Sequence, residues 1–438
     1  MPGIDNTNGL YALHHFLAND GSDYEIIREQ EDALMNKIDA RIRKRQVEGQ
    51  TNVEKLILGD TMHEIATKDG SPAYDINPGG LIIRDASITM RHMLARFMID
   101  GTTADQLKTG DKSVVKIGLQ RMLKHYDMFL ERTKHKILAG DGSGRLCYVK
   151  TNTTTAQNLV EDDGTTAMSK THPAWKSLIA GQRIDIVATA TGLAVDGGVD
   201  IEISSISLSG STVTLPDTVA VTGSKAHYIR LHTPHSDSTD PDYDTNRSLT
   251  PYPYGLDGLI TTAASYMGYS ADNYPNWYSP YKDMDGAEVD LAALDELTAE
   301  MDLADGTLFA GDMACIAQMR KSLEAVATFQ MTEEKSIYRG VNPIKYVTME
   351  MNGRVFPILS SKAFNNCRKI FVVNPDDLAE IGATLKPTWD RGKLTWSQSD
   401  RYLFDDSSWR FNRFTQKRKS HGVFYNCGAA YGWNKVVA

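Results

Sequence analysis

The sequence predicts an α+β fold. Three patterns indicate this class: a long amphipathic stretch at 112–139, a glycine-punctuated run of short alternating segments at 181–231, and mixed helical and strand patterns from residue 251 onward. The chain has 438 residues, of which 41% are hydrophobic and 24% charged, as in ordinary globular proteins. This length and composition allow two or three domains with a sizeable core.

The N-terminal part predicts an irregular segment followed by one helix. Residues 1–22 show no periodic pattern, whereas 23–46 favour a helix in which acidic residues come first and basic residues last, as suits the helix dipole. The apolar stripe of this helix consists of Ile27, Leu34, Ile38 and Ile42.

An extended region precedes the long amphipathic stretch. Turn signals such as Asn77-Pro78-Gly79-Gly80 punctuate residues 66–110. Residues 88–99 are apolar on both alternating faces, a pattern that periodicity alone does not distinguish from a helix. If they form a strand, both faces need cover, and a neighbouring subunit could supply it.

The strongest single pattern predicts a helix over 112–139, with Asp111 as its N-terminal cap and Gly140 ending it. At about 1.5 Å per residue this helix would be roughly 40 Å long. The apolar residues that repeat at offsets of three and four are Val115, Leu119, Met122, Tyr126, Phe129, Leu130, Thr133 and Ile137.

A change of pattern follows the helix. Residues 150–175 are threonine-rich and predict a loop. Residues 181–231 contain several short alternating segments separated by glycines, which predict an antiparallel β-module of four to six strands inserted into the host domain.

The remainder predicts a mixed α/β arrangement. We expect a helix over 290–303, a strand over 307–310 and a second helix, capped by Asp312, through 326. A hairpin over 344–360 turns at Asn352-Gly353, the dipeptide that tight turns prefer.

The C-terminal part predicts further strands. A strand over 369–373 leads to Asn374-Pro375-Asp376, which favours the start of a short helix because proline suits the first helical position. The last 45 residues are rich in aromatic side chains, which suit long strands.

Basic residues and cysteines indicate no specific site. The net charge is −9, and the main basic cluster, Lys417-Arg418-Lys419, favours a solvated strand end over a weak phosphate or subunit contact. Four dispersed cysteines, without a CxxC pair, favour reduced and partly buried thiols over a zinc site. They are Cys147, Cys315, Cys367 and Cys427.

Candidate sites for a small ligand are weak. The segment from His232 to Asp244 superficially has the acidic spacing of a calcium loop, but it lacks the turn glycine and the closing glutamate. A polar surface loop is favoured over a divalent-ion site there. The weak metal candidates are Asp237, Asp240, Asp242 and Asp244. No catalytic signature occurs, so we predict no catalytic residue, no cofactor and no active-site metal.

Neither targeting signals nor membrane spans are expected. The first ten residues lack a basic region followed by an apolar stretch, and no run of about 18 apolar residues occurs. The protein is therefore expected to be made and kept in a cytosol, without a membrane partner.

The segment Asp127–Val149, with its Gly140-Asp141-Gly142-Ser143-Gly144 turn, resembles the end of the long "spine" helix in tailed-phage major capsid proteins with the Hong Kong 97-type fold. The resemblance continues in order along residues 60–435: an extended loop before the helix, a small β-module after it, the segment Tyr254–Ile260, an α/β-like part, and long C-terminal strands.

The resemblance implies a division of the chain into regions. These are an N-terminal arm with a helix at 1–60, an extension loop at 61–111, the spine helix of the peripheral domain at 112–150, the inserted β-module at 178–232, most of the axial domain at 255–375, and peripheral-domain strands with the C-terminal segment at 376–438.

It also implies a function. Such proteins are not enzymes; they assemble as hexamers and pentamers into an icosahedral phage head around double-stranded DNA. The implied location is the virion capsid, assembled in the bacterial cytoplasm. The implied partners are copies of the chain, portal and scaffolding proteins, a decoration protein, and packaged DNA bound without sequence specificity. An encapsulin-type compartment with the same fold, and a cytosolic enzyme with a β-accessory domain, remain the alternatives.

Overall fold

The computed structural model is a mixed α+β structure with few helices and many strands. It describes residues 33–49, 51–60, 81–99, 139–150, 154–223, 225–233, 250–263, 265–325, 327–334, 344–351, 353–364, 367–383, 388–389, 395–396 and 403–428. The helix predicted over 112–139 lies outside these residues except for Ala139, and so do 61–80 and 100–111 of the predicted extension loop.

The described N-terminal part contains helix α1 and four strands, and its first strand pairs with a fifth strand from much later in the chain. They are α1 (Ala33–Arg41), β1 (Arg43–Gln46), β2 (Thr51–Asp60), β3 (Leu81–Thr89), β4 (Arg91–Ile99) and, much later in the chain, β20 (Leu378–Gly382). The helix predicted to reach residue 46 therefore ends at Arg41. The apolar stripe stops at Ile42, and the next four residues are polar, so they form an exposed strand that pairs in parallel with β20.

Strands β2 and β3 pair with each other as an antiparallel two-stranded sheet, which we call the ribbon. One face of the ribbon packs on the chain's own core through Leu56, Leu58 and Ala86, which are almost completely buried. A register shift between Ile57 and Gly59 marks a β-bulge.

A six-stranded sheet has β23 (Leu403–Thr415) at its centre. Its order is β1-β20-β23-β21, with β4 and β22 also paired to β23, where β21 is Thr388–Trp389 and β22 is Thr395–Trp396. Strand β4 runs antiparallel to β23, and Met93 lies opposite Trp409. The expectation that a neighbouring subunit covers 88–99 is thus wrong for Met90 and Met93, which the chain itself buries. Leu94 stays 53% exposed.

A seven-stranded antiparallel sheet covers 147–231. Its order is β8-β7-β11-β5-β6-β10-β9. The segment Ile201–Ser207 pairs at its start with β7 and at its end with β10, so the sheet closes into a small barrel. Its strands are β5 (Cys147–Val149), β6 (Ala156–Val160), β7 (Arg183–Ala188), β8 (Ile201–Glu202), β9 (Ser205–Ser207), β10 (Thr212–Thr214) and β11 (His227–Leu231).

The barrel confirms the predicted antiparallel strands but contains more of the chain than expected. The prediction of a loop over 150–175 is wrong at β6, where Leu159 enters the barrel core and Val160 is buried in a smaller cluster with Tyr148, Val187 and Tyr228. The alternation of apolar and polar residues is not visible in β6 because the polar Gln157 occupies a fully buried position. Its amide donates hydrogen bonds to the carbonyls of Thr154 and Val219.

A seven-stranded mixed sheet forms the third body, in the order β14-β24-β19-β15-β18-β17-β16. The predicted hairpin about Asn352-Gly353 is confirmed as β17 and β18. The strands are β14 (Tyr281–Asp283), β15 (Leu308–Gly311), β16 (Thr328–Glu334), β17 (Ile344–Met351), β18 (Arg354–Ser360), β19 (Ile370–Val373) and β24 (Gly422–Tyr425). A separate two-stranded sheet joins β12 (Ser265–Tyr266) and β13 (Tyr269–Ser270).

Among the described residues after the barrel, the α-helices are α2 (Leu256–Leu259), α3 (Leu291–Glu300) and α4 (Met313–Leu323). The predicted cap is confirmed, because Asp312 accepts a hydrogen bond from the Ala314 amide (2.9 Å). Asp290 caps α3 in the same way by accepting a hydrogen bond from the Ala293 amide (2.8 Å). The short helix predicted after Asn374 is the 3-10 helix Pro375–Asp377. In the described ranges, further 3-10 helices are Pro173–Lys176, Lys362–Phe364 and Arg418–Ser420.

The six-stranded sheet and the mixed sheet share one core. Helices α3 and α4 pack on one face of the mixed sheet, while α1 and the ribbon pack on a second core that includes Trp277 and Phe371. Arg413 pairs with Glu380 (2.8 Å) and Asp39 (3.1 Å), which ties β23 to β20 and α1.

The expected solvated basic cluster is wrong for Arg418. That side chain is fully buried, and it donates hydrogen bonds to the carbonyls of Trp277, Thr261 and Ala263 at 2.9–3.1 Å. Lys417 is 69% exposed. Burial lowers the pKa of Arg418 to about 10, so the side chain stays charged at neutral pH. Its hydrogen bonds connect the segment before β24 to residues 261–277.

Candidate assembly surface

The outer face of the ribbon carries an apolar patch that the described part of the chain does not cover. Alternation along β2 places Val53 and Ile57 on the face opposite to the buried Leu56. Ile57 lies directly across from Ile83 in the register. The exposed fractions are 58% for Val53, 60% for Ile57, 59% for Leu81 and 45% for Ile83.

This patch arises because β2 and β3 have apolar residues on both faces. A two-stranded sheet that packs one face on its own core leaves the other face in solvent. Lys55 and Asp85, also exposed, lie opposite each other in the register, so the charges of the outer face compensate within the ribbon. The result is an apolar surface with little net charge, which suits burial against protein better than contact with phosphate.

Polar contacts hold the ribbon to the body. Glu54, which is 9% exposed, accepts hydrogen bonds from Arg45 (2.8 Å) and Asn52 (2.5 Å). On β3, the Tyr269 hydroxyl donates to the Asp85 carbonyl at 2.6 Å. The base of the ribbon is therefore fixed on the body, with its apolar outer face turned away from it.

A second feature joins the two sequence segments that carry the resemblance. The amides of Gly255 and Tyr252 donate to the carbonyls of Gly140 (2.9 Å) and Gly142 (3.0 Å). Gly258 allows the close approach: a Cβ there would lie 3.0 Å from the Asp141 carbonyl oxygen. The end of the predicted spine helix thus docks on α2.

An ion-pair network surrounds this docking turn. Arg145 lies 2.9 Å from Asp141, 3.8 Å from Asp257 and 3.8 Å from Asp162, and Lys369 pairs with Asp257 at 2.5 Å. Burial alone would raise the pKa of Asp141, but Arg145 and the Ser143 hydrogen bonds lower it overall. The network connects the turn, the barrel, α2 and the start of β19.

Beside the network lies a buried acid–base pair. Glu161 accepts a hydrogen bond from the Ser169 amide (2.6 Å), and its other carboxyl oxygen is 3.6 Å from His172 Nε2. Burial raises the pKa of Glu161 to about 8 and lowers that of His172 to about 4. At neutral pH burial therefore favours the uncharged form of both groups.

The weak metal candidates Asp237, Asp240, Asp242 and Asp244 lie outside the described residues. Among the residues that are described, no group of three His, Cys, Asp or Glu side chains could hold a metal ion. His232, at the start of the candidate segment, instead bonds through Nδ1 to the buried Asp185 at 2.8 Å. Within the same ranges, no helix is long and apolar enough to cross a membrane.

Sequence reasoning predicted no strand over residues 51–60, although β2 carries Val53 and Ile57 of the exposed apolar patch. A sequence signal for this strand was present, because both alternating faces of the short segment carry apolar residues: Val53 and Ile57 lie on one face, and Leu56 and Leu58 on the other. The network around Arg145 left no sequence signal, because Asp141, Asp162, Asp257 and Lys369 come from four distant segments.

The sequence matches no protein-family model and no curated protein. Among solved structures it is similar to a subunit of the cyanophage A-1(L) capsid, with 11% identity, 91% of this chain and 93% of that chain covered, and a TM-score of 0.48. It is also similar to the capsid of a native GTA particle, with 10% identity, 90% of each chain covered and a TM-score of 0.41.

A third similar structure is the SrpI encapsulin of Synechococcus elongatus PCC 7942, with 9% identity, 90% of this chain and 89% of that chain covered, and a TM-score of 0.39. Along about nine tenths of its length, the chain is thus similar to capsid proteins and to an encapsulin. All three TM-scores are below 0.5.

Proposed function

We propose that the protein is a shell-forming structural protein, a major capsid protein of the tailed-phage type with the Hong Kong 97-type fold. It self-assembles into hexamers and pentamers of an icosahedral head that encloses double-stranded DNA, and it is not an enzyme. The observation that carries the proposal is the uncovered apolar face of the ribbon, on a chain whose ordered segments resemble that family.

Shell formation explains why apolar surface remains outside. Stable interfaces bury about 1,200–2,000 Å² in total, and every copy in a closed shell must make several such contacts. A ribbon that packs one face on its own body and offers the other supplies contact area beyond that of a compact domain. The four exposed aliphatic residues of the ribbon would be covered by a neighbouring copy.

In this proposal the ribbon is the extension loop, beginning at Thr51 rather than at residue 61. The spine helix at 112–139 and the six-stranded sheet belong to the peripheral domain, and most of 255–375 belongs to the axial domain. The barrel is the inserted β-module, enlarged to begin at Cys147.

The charge of the chain suits a container for DNA. With a net charge of −9, the protein lacks the basic excess of a tight nucleic-acid binder. Packaged DNA is then held by confinement rather than by many phosphate contacts, whose affinity falls steeply with salt. Portal, scaffolding and decoration proteins are the further proposed partners, with assembly in the bacterial cytoplasm and the virion capsid as the final location.

Electron microscopy of the recombinant full chain tests the proposal. We expect closed shells or capsomers, and shells tens of nanometres across would support self-assembly. A stable monomer at high protein concentration, with or without scaffolding protein, would contradict it and favour an enzyme with a β-accessory domain. Particles purified from the native source separate the other alternative: phage heads contain long double-stranded DNA, whereas encapsulin shells contain a protein cargo.

A further inference from the structure

Three of the four cysteines, distant in sequence, meet near the start of α4. Cys315 lies in the first turn of α4, Cys367 precedes β19, and Cys427 follows β24. The Cys315 thiol donates a hydrogen bond to the Cys427 carbonyl with a sulfur–oxygen distance of 3.9 Å, and the two residues belong to the same buried cluster. Both residues are free thiols and almost completely buried, with 2% and 1% exposed surface.

Backbone contacts hold these segments in place. The Cys427 amide donates to the Arg368 carbonyl at 2.9 Å. Asp312, which caps α4, also accepts a hydrogen bond from the Arg368 amide at 3.3 Å. The start of the helix, the segment before β19 and the chain after β24 are thus fixed relative to one another, so Cys315 and Cys427 are held close together.

We propose that Cys315 and Cys427 form an intramolecular disulfide once the protein meets an oxidising environment, such as the one outside a host cell. A disulfide requires two Cβ atoms about 3.5–4.5 Å apart and little backbone strain. The contact between the Cys315 sulfur and the Cys427 carbonyl brings the two residues close to that arrangement. The reducing conditions of a cytosol keep both residues as thiols until then.

The oxidant in this proposal is a small-molecule disulfide. The Cys315 thiolate attacks one of its sulfurs, forming a mixed disulfide and releasing one thiolate. The Cys427 thiolate then attacks the Cys315 sulfur, forming the protein disulfide and releasing the second thiolate. Two protons leave the protein, two electrons reduce the small disulfide, and no other reactant is needed.

Burial makes this reaction slow and gives it a specific consequence. The hydrogen bond with Cys427, followed by burial, raises the pKa of Cys315, so thiolate forms mainly when residues 426–428 open transiently. The new bond would join residues 112 positions apart. It would therefore reduce the entropy of the unfolded chain and hold the segment after β24 on α4.

The other cysteines supply the controls. Cys147 is 1% exposed and lies in the barrel core, where the described residues that pack with it include no second cysteine. It should remain a thiol under conditions that oxidise the pair. Cys367 is partly exposed and its thiol bonds to the Lys369 carbonyl at 3.9 Å, so it is the competing partner that the experiment must distinguish.

The test uses the full chain, purified with a reductant and then incubated with oxidised glutathione, including a sample at low denaturant concentration that promotes local opening. Free thiols are alkylated after unfolding in acid, and peptides are mapped by mass spectrometry. We expect one peptide pair joined through Cys315 and Cys427, lighter by two hydrogen atoms, an alkylated Cys147, and a thermal midpoint raised by several degrees that reductant reverses.

Two variants make the result decisive. Cys427→Ser should lose the linked peptide and the stabilisation by oxidant, whereas Cys147→Ser should keep both. The proposal is overturned if Cys315 and Cys427 are both alkylated after prolonged incubation, if Cys315 is found joined to Cys367, or if the only linkages join different chains. None of these outcomes depends on shell formation, so the inference fails or stands independently of the proposed function.

Discussion

Replacing Ile57 by aspartate should abolish assembly while leaving a folded subunit. Ile57 is 60% exposed on the outer face of the ribbon. Burying a whole isoleucine side chain contributes about 1.5–3 kcal/mol, so the exposed part corresponds to roughly 1–2 kcal/mol for each contact with a neighbour. A carboxylate without a partner in a dry contact costs several kcal/mol more.

The effect multiplies in a ring of copies. If each subunit of a hexamer contributes one ribbon, the lost apolar contact alone amounts to roughly 6–12 kcal/mol per hexamer. The subunit itself loses much less, because strand preferences differ by only about 1 kcal/mol and the buried face of the ribbon, with Leu56 and Leu58, is unchanged.

Sedimentation velocity and electron microscopy measure the assembled fraction, and circular dichroism with thermal melting measures the fold. The matched control is Val355→Asp, at an aliphatic residue that is 56% exposed on β18, away from the ribbon. We expect shells from the control and only dissociated, folded subunits from Ile57→Asp. Shells of the Ile57→Asp protein at the unaltered yield would refute the role of the ribbon, and equal loss in both variants would show that the effect is not specific to it.

Three further predictions concern the fold that supports this surface. Arg418→Met should reduce the free energy of unfolding in denaturant melts by about 3–5 kcal/mol, because three carbonyls lose a buried donor; Lys417→Met should change it by under about 0.5 kcal/mol. Because the folded pKa of Glu161 is about 8 instead of 4.5, its burial destabilises the protein progressively as the pH rises through this interval. Glu161→Gln should therefore stabilise the protein relative to the unaltered chain by a few kcal/mol more at pH 9 than at pH 5, and a pH-independent difference would contradict the assignment. Gly258→Val should cost about 1–3 kcal/mol by forcing the Gly140–Gly144 turn off α2, whereas an unaltered melting curve would show that the close approach is not needed.

Local signals predicted the C-terminal half well. The cap at Asp312, the hairpin formed by β17 and β18 and the proline-initiated turn after Asn374 each depend on residues a few positions apart. Their chemistry is decided by backbone donors and turn geometry within the same segment, so one sequence suffices to identify them.

Features that depend on distant pairing could not be predicted in this way. Arg43–Gln46 looked like the end of a helix, yet its backbone bonds to β20 more than 330 residues later. Arg418 looked like a solvated charge because its three carbonyl partners are formed by a segment about 140–160 residues earlier. Burial of a polar side chain is set by tertiary contacts, and nothing in the local pattern encodes them.

The barrel is closed and the edge strand β1 is polar, and their contrast with the ribbon indicates that a partner covers the ribbon in the functional state. The barrel closes on itself through Ile201–Ser207 and so leaves no long free edge. The edge strand β1 of the six-stranded sheet consists of charged and polar residues, which discourage pairing with another chain. Against this background the ribbon combines exposed aliphatic residues on both strands with compensated charges, a surface that would promote aggregation in a monomer. The same physical property becomes an advantage if each ribbon is covered by the next copy, so the contrast between protected edges and an uncovered ribbon favours an assembled functional state.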